Sequence, residues 1–210
     1  MPSATQVALA ALGPLAHAGS WWLVRRRRVS IWVGSGATLA VLGVAAVIVG
    51  PVVAAERFDV AGAVGLGALA GALLWGATAG FMAVAVRAVP ALAAHTSSLY
   101  GERGDRSLAA ALAVPLLLSA PGEELLWRGV VFGALEGSLD GPALAALVCW
   151  AAFAAVNLVS GSLPIVLGAV VGGGVWTALA WWTGGVAASV ACHIVWTGLM
   201  IVAPPRGARA

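Results

Sequence analysis

The stretch Ser119-Ala-Pro-Gly-Glu-Glu-Leu-Leu-Trp-Arg-Gly129 places two carboxylates and an arginine inside an apolar run. The chain around it avoids charge. Of 210 residues, 9% are Asp, Glu, Lys or Arg and 61% are hydrophobic, and the mean hydropathy is +1.01. That apolar share exceeds what globular chains carry. The charged residues also cluster between long apolar stretches instead of recurring at helical spacing. The composition therefore predicts an all-α fold, a polytopic transmembrane helical bundle.

A spanning helix needs about 20 mostly apolar residues, and the chain divides accordingly. Apolar runs cover roughly residues 5–24, 29–55 and 60–86, and a polar connector follows at 91–106. A fourth run starts near Ser107 and flows into the opening stretch. Three more cover about 143–159, 163–182 and 186–203. This makes about seven spans. Residues 1–106 form an N-terminal part of three helices with the connector, 107–203 a membrane core, and 204–210 a tail. The first run is not a simple signal peptide, because its charges, Arg25 to Arg28, follow the apolar region.

Arginine placement predicts orientation. With Arg25–Arg28 on the cytoplasmic side, alternation also puts Arg87, Arg103, Arg106, Arg206 and Arg209 inside. Arg57 falls outside, beside Glu56 and Asp59. The N-terminus is then out and the C-terminus in. This distribution accounts for the net charge of +3 and, with no aromatic-interleaved basic stripe, excludes nucleic acid as a partner. The surrounding partner is membrane lipid. The chain has no Lys and is rich in Ala, Gly and Val, which suggests a high-GC bacterial source and a multi-pass protein of the bacterial inner membrane. Cys149 and Cys192 lie in apolar runs and read as small buried hydrophobes, not as a disulfide framework. The spacing Gly168-x3-Gly172 suits close helix approach.

Ionisable groups within spans cost of order 2.5–3.5 kcal/mol each and mark functional sites. Glu124 and Arg128 stand at i and i+4 and can pair on one helix face. Glu123, about 100° around the helix, is then left available for chemistry. Pro121-Gly122 just before them is expected to loosen the helix and admit water. His193 and Thr197 repeat the i, i+4 spacing on the last helix, as do Phe153 and Asn157 on the fifth. An imidazole can bind a metal, accept a proton or donate to an oxyanion. An asparagine within a span usually bridges helices. His17, beside Trp21 and Trp22, reads as an interfacial structural residue, and His95 as a solvated one in the connector.

Glu123-Glu124-x3-Arg128, then Phe153-x3-Asn157, then His193-x3-Thr197 resemble the motifs of the CAAX-protease and bacteriocin-processing (Abi) family of intramembrane endopeptidases. The resemblance covers about residues 108–200. It implies hydrolysis of a peptide bond in a peptide or membrane-protein substrate, inside a polar cavity lined by helices. By that resemblance Glu123 activates the attacking water, with Glu124 and Arg128 as a structural or substrate-orienting pair. His193 and Thr197 serve the oxyanion, and Asn157 positions water. Asn157 stands where the family carries His, and Thr197 where Asn or Asp is usual. Asn is a poor base and a poor zinc ligand. A divalent metal such as zinc, if used, would fall to Glu123 and His193. The alternative reading is a weakened or inactive relative acting as a membrane binding or bacteriocin-immunity protein. A transporter would need an inverted repeat or a continuous polar path, and the sequence has neither.

Overall fold

The computed structural model describes residues 2–50 and 57–207, which form helices and turns and, among the described residues, no strands. The helices are α1 (Ala4–Arg25), α2 (Trp32–Val49), α3 (Val60–Ala88), α4 (Pro90–Gly101), α5 (Leu108–Glu136), α6 (Pro142–Leu158), α7 (Leu163–Thr183) and α8 (Ala187–Val202). The apolar runs read from composition become helices because a backbone removed from water must bond to itself. By length and composition, α1, α2, α3, α5 and α7 can each cross a membrane, whereas α6 and α8 are apolar but shorter. Glu56 and Arg209, both used in the orientation argument, lie outside the described residues.

Local chemistry sets the helix ends. Ser3 and Gln6 form a reciprocal capping box on α1. The Asp59 carboxylate accepts from the Gly62 N–H at 2.6 Å to start α3, and Ser107 Oγ accepts from the Ala110 N–H at 3.3 Å to start α5. Gly184, at φ +79°, ends α7 in the left-handed conformation that favours glycine.

One element departs from expectation. The connector at 91–106 contains a helix, α4, because Pro90 at its first turn pre-sets the backbone. Its His95 is not simply solvated: Nδ1 accepts from the Leu163 N–H at 3.2 Å and caps α7. Its Tyr100 hydroxyl donates to the Met200 carbonyl at 2.7 Å, and burial pushes that phenol's pKa up.

α5 is the hub, touched by α1, α2, α6, α7 and α8, while α3 lies along α8. Two of these contacts depend on glycine. A Cβ on Gly122 would strike the Leu39 carbonyl of α2, and one on Gly43 would lie 2.7 Å from the Gly122 Cα. A Cβ on Gly71 of α3 would lie 2.6 Å from the Cys192 carbonyl oxygen of α8. Small residues thus bring backbones into direct contact, as membrane helices require. Pro115 and Pro121 both sit inside α5, yet the helix continues. The missing proline N–H groups are accommodated by wider π-helical turns at Pro115–Ser119, with a second at Leu125–Val131 just after the glutamates. The loosening expected at Pro121-Gly122 therefore takes the form of widened turns, not a break.

The loops sort the arginines. A Cβ on Gly161 would lie 3.1 Å from Arg25 Nε. The Trp32 indole donates to the Glu102 carbonyl at 2.8 Å, and the Arg106 guanidinium lies 5.1 Å above the Trp32 ring. Arg25–Arg28, Arg103 and Arg106 therefore gather at one end of the bundle. Arg57, whose N–H bonds the Thr183 carbonyl at 3.2 Å, lies at the other.

Candidate active site

Near the middle of α5 the two glutamates face different surroundings. Glu124 is fully enclosed. Its Oε1 accepts from Arg128 Nη1 at 3.2 Å and lies 2.9 Å from His193 Nδ1 of α8. A carboxylate only accepts, so His193 carries its proton on Nδ1 when it bonds Glu124. Arg128 is held on every side. Nε donates to Thr177 Oγ1 at 3.2 Å and Nη2 to the Gly173 carbonyl at 2.9 Å, both on α7. Its guanidinium also stacks 4.3 Å from the Phe153 ring of α6. A buried ion pair survives only when its remaining donors are satisfied, and this one ties α5, α6, α7 and α8 together.

Glu123 keeps 11% of its side chain exposed. It lines a cavity of about 940 Å³ with His193, Thr197 and Asn157. The cavity reaches Tyr100 and Arg103, so it runs from the glutamates toward the arginine-rich end. His193 Nε2 stands 3.8 Å from Glu123 Oε2. Its ring is clamped face to face on Trp176, centroids 3.6 Å apart and planes 12° from parallel.

The structure thus brings Glu123, Glu124, Arg128 and His193 into one cluster. Thr197, one turn beyond His193, lines the cavity and is half-buried. Asn157 also lines it, but its amide nitrogen donates to the Phe153 carbonyl of its own helix at 2.9 Å. It is a cavity wall residue, not a bridge between helices.

His17 is where sequence reasoning fell short. It is not interfacial. It is completely buried, and its Nε2 lies 3.3 Å from Glu123 Oε1. The Trp127 indole donates to its Nδ1 at 3.2 Å. Thr177, Gly173 and Trp176 were likewise missed as partners of Arg128 and His193. The one available signal was an ionisable residue within an apolar run, the same signal that singled out the glutamates.

Glu123, Glu124 and His193 each offer a donor atom within 4.8 Å of one another. A catalytic zinc uses three protein ligands. Here Glu124 Oε1 is already bonded to Arg128 and His193. Its Oε2 is buried without a hydrogen-bond partner, but a dication there would face a guanidinium already paired with the same carboxylate. Glu123 and His193 Nε2 remain as free donors, one short of that set.

No curated protein and no solved structure matches the chain significantly. Residues 105–199 match the family model described as Rce1-like, type II CAAX prenyl endopeptidase. The matched segment runs from just before α5 into α8 and contains the glutamate, arginine and histidine cluster, in a multi-pass helical membrane protein. That segment, and with it the site, is similar to the CAAX-protease family of intramembrane proteases.

Proposed function

We propose that the chain is an intramembrane endopeptidase in which Glu123 activates the water that attacks a peptide carbonyl. The observation that carries this reading is the unequal treatment of two adjacent carboxylates. Glu124 is consumed by Arg128 and His193, while Glu123 opens on a cavity large enough for an extended peptide. With Nδ1–H given to Glu124, a neutral His193 presents the lone pair of Nε2 to the cavity. The 3.8 Å between that nitrogen and Glu123 Oε2 suits one water donating a hydrogen to each. Its oxygen lone pair then points at the substrate. Glu123 takes the proton as the C–O bond forms and returns it to the amide nitrogen as the C–N bond breaks. The tautomer that Glu124 imposes makes His193 an acceptor for water first, and an oxyanion donor only after it is protonated. The Thr197 hydroxyl can serve the oxyanion directly. No metal enters, which the Arg128–Glu124 pairing supports.

The substrate is a peptide or membrane protein reaching the cavity from the arginine-rich end. Arginine clustering supports a cytoplasmic assignment for that end, and the lysine-free composition supports a bacterial cell membrane. A second reading, an inactive relative that binds a partner, is favoured by Asn157, whose amide is turned onto its own helix. Peptide cleavage by purified protein in detergent separates the two when native chain, Glu123→Ala and Asn157→His are compared. Cleavage by native protein that Glu123→Ala abolishes is the expected result. No cleavage by native protein, with activity gained in Asn157→His, establishes the second reading.

A further inference from the structure

We propose that His17 of α1 is a positioning residue for Glu123, so that the helix outside residues 105–199 completes the site. The inference rests on the reading of Glu123 as the base. The Trp127 indole has only a hydrogen to give, and it gives it to His17 Nδ1 at 3.2 Å. Nδ1 is therefore the unprotonated nitrogen, and the ring's proton sits on Nε2. That nitrogen is enclosed and makes no aligned hydrogen bond; the carboxylate oxygen it faces is Glu123 Oε1, at 3.3 Å. The result is a directed order: the Trp127 N–H is spent on His17, and the His17 N–H is left for the carboxylate beside it, Glu123.

Glu123 thus has Oε1 facing His17 and Oε2 facing His193 Nε2. One carboxylate oxygen is anchored and the other is available for water. Asn157 makes no hydrogen bond to Glu123 among the described residues; its amide donates to the Phe153 carbonyl. Glu123 thus meets an imidazole delivered from α1, where α6 offers only the Asn157 amide to the cavity. Trp21 and Trp127 lie beside it, with ring centroids 6.0 and 6.3 Å away, and leave the imidazole little freedom to turn.

The test uses full-length protein in detergent micelles with ring-15N histidine at neutral pH. The chain's three histidines are assigned by single His→Gln variants. The expected His17 signal has Nδ1 unprotonated and Nε2 protonated, and its Nε2 resonance moves in Glu123→Gln. A protonated Nδ1, or a signal indifferent to Glu123→Gln, overturns the proposal whether or not the protein cleaves anything. On a cleaved peptide, His17→Ala is expected to lower kcat roughly 10- to 100-fold with KM little changed, the usual cost of a misplaced catalytic group. His17→Gln, which keeps an N–H near the Nε2 position, is expected to recover most of that loss. Full kcat in a folded His17→Ala protein overturns the proposal. A native protein that cleaves no peptide defeats the endopeptidase reading, and the resonance shift still decides the coupling of His17 to Glu123.

Discussion

Glu123 and Glu124 are neighbours in sequence, yet they occupy opposite kinds of environment. The Glu124 side is sealed: Arg128, Thr177, Gly173 and His193 close around it with bonds of 2.7 to 3.2 Å. The Glu123 side is open, with a cavity in front and His17 behind. One carboxylate holds four helices together, and the other is kept ready to react. The difference teaches that in this chain the buried arginine is matched by Glu124 alone, which leaves Glu123 to His17 and the cavity.

Removing the reactive acid tests that division most severely. Glu123→Gln is expected to lower peptide cleavage roughly 10²- to 10⁴-fold, the range for a general base, while the thermal unfolding temperature stays near native. A matching loss of stability would mean that both glutamates are structural. The sealed side should respond in the opposite currency. Arg128→Met leaves Glu124 buried and unpaired, which costs about 3–5 kcal/mol, read by denaturant or thermal unfolding in detergent. Adding Glu124→Gln to it should restore much of the stability, and a double variant no better than the single would break the pairing argument.

Gly122→Ala moves both acids together. Its Cβ would strike the Leu39 carbonyl, at a cost of about 1–3 kcal/mol typical of overpacking. Cleavage should fall with stability, because the α2–α5 contact sets the position of the residue next to it. The smallest effect expected is that of a chelator. Metal removal should change the rate by less than about twofold if water is activated by Glu123 alone, and a loss restored by zinc would show that Glu123 and His193 hold a metal after all.

Much of the fold was legible because charge in this chain acts as punctuation. Arg25–Arg28 mark the end of α1, Asp59 and Arg87 bracket α3, and Arg106 and Glu136 bracket α5, whereas the breaks on either side of α7, at 159–162 and 184–186, carry no charge. The i, i+4 relation of Glu124 and Arg128 was equally readable, since helix geometry alone puts them on one face. α4 was not, because its polar composition resembles a loop and its helicity follows from Pro90 and from docking against α7 and α8. Nor was the placement of His17. Its partner Trp127 is 110 residues away, and nothing local says which face of α1 meets α5. The turning of Asn157 onto its own helix is a choice of rotamer, which packing decides and spacing does not.

The widened turn at Leu125–Val131 carries one consequence for how this protein tolerates change. A π-helical turn holds, in effect, one residue more than an α-helix needs. Deleting a single residue there lets the helix relax to ordinary winding instead of breaking it. The helix beyond the turn would keep its facing, because the extra residue is what the wide turn absorbs, but Arg128, inside the turn, would be re-aimed away from Thr177 and Gly173. In that one turn, chain length can be lost without loss of the helix, and the site would be dismantled while the membrane protein around it still assembled.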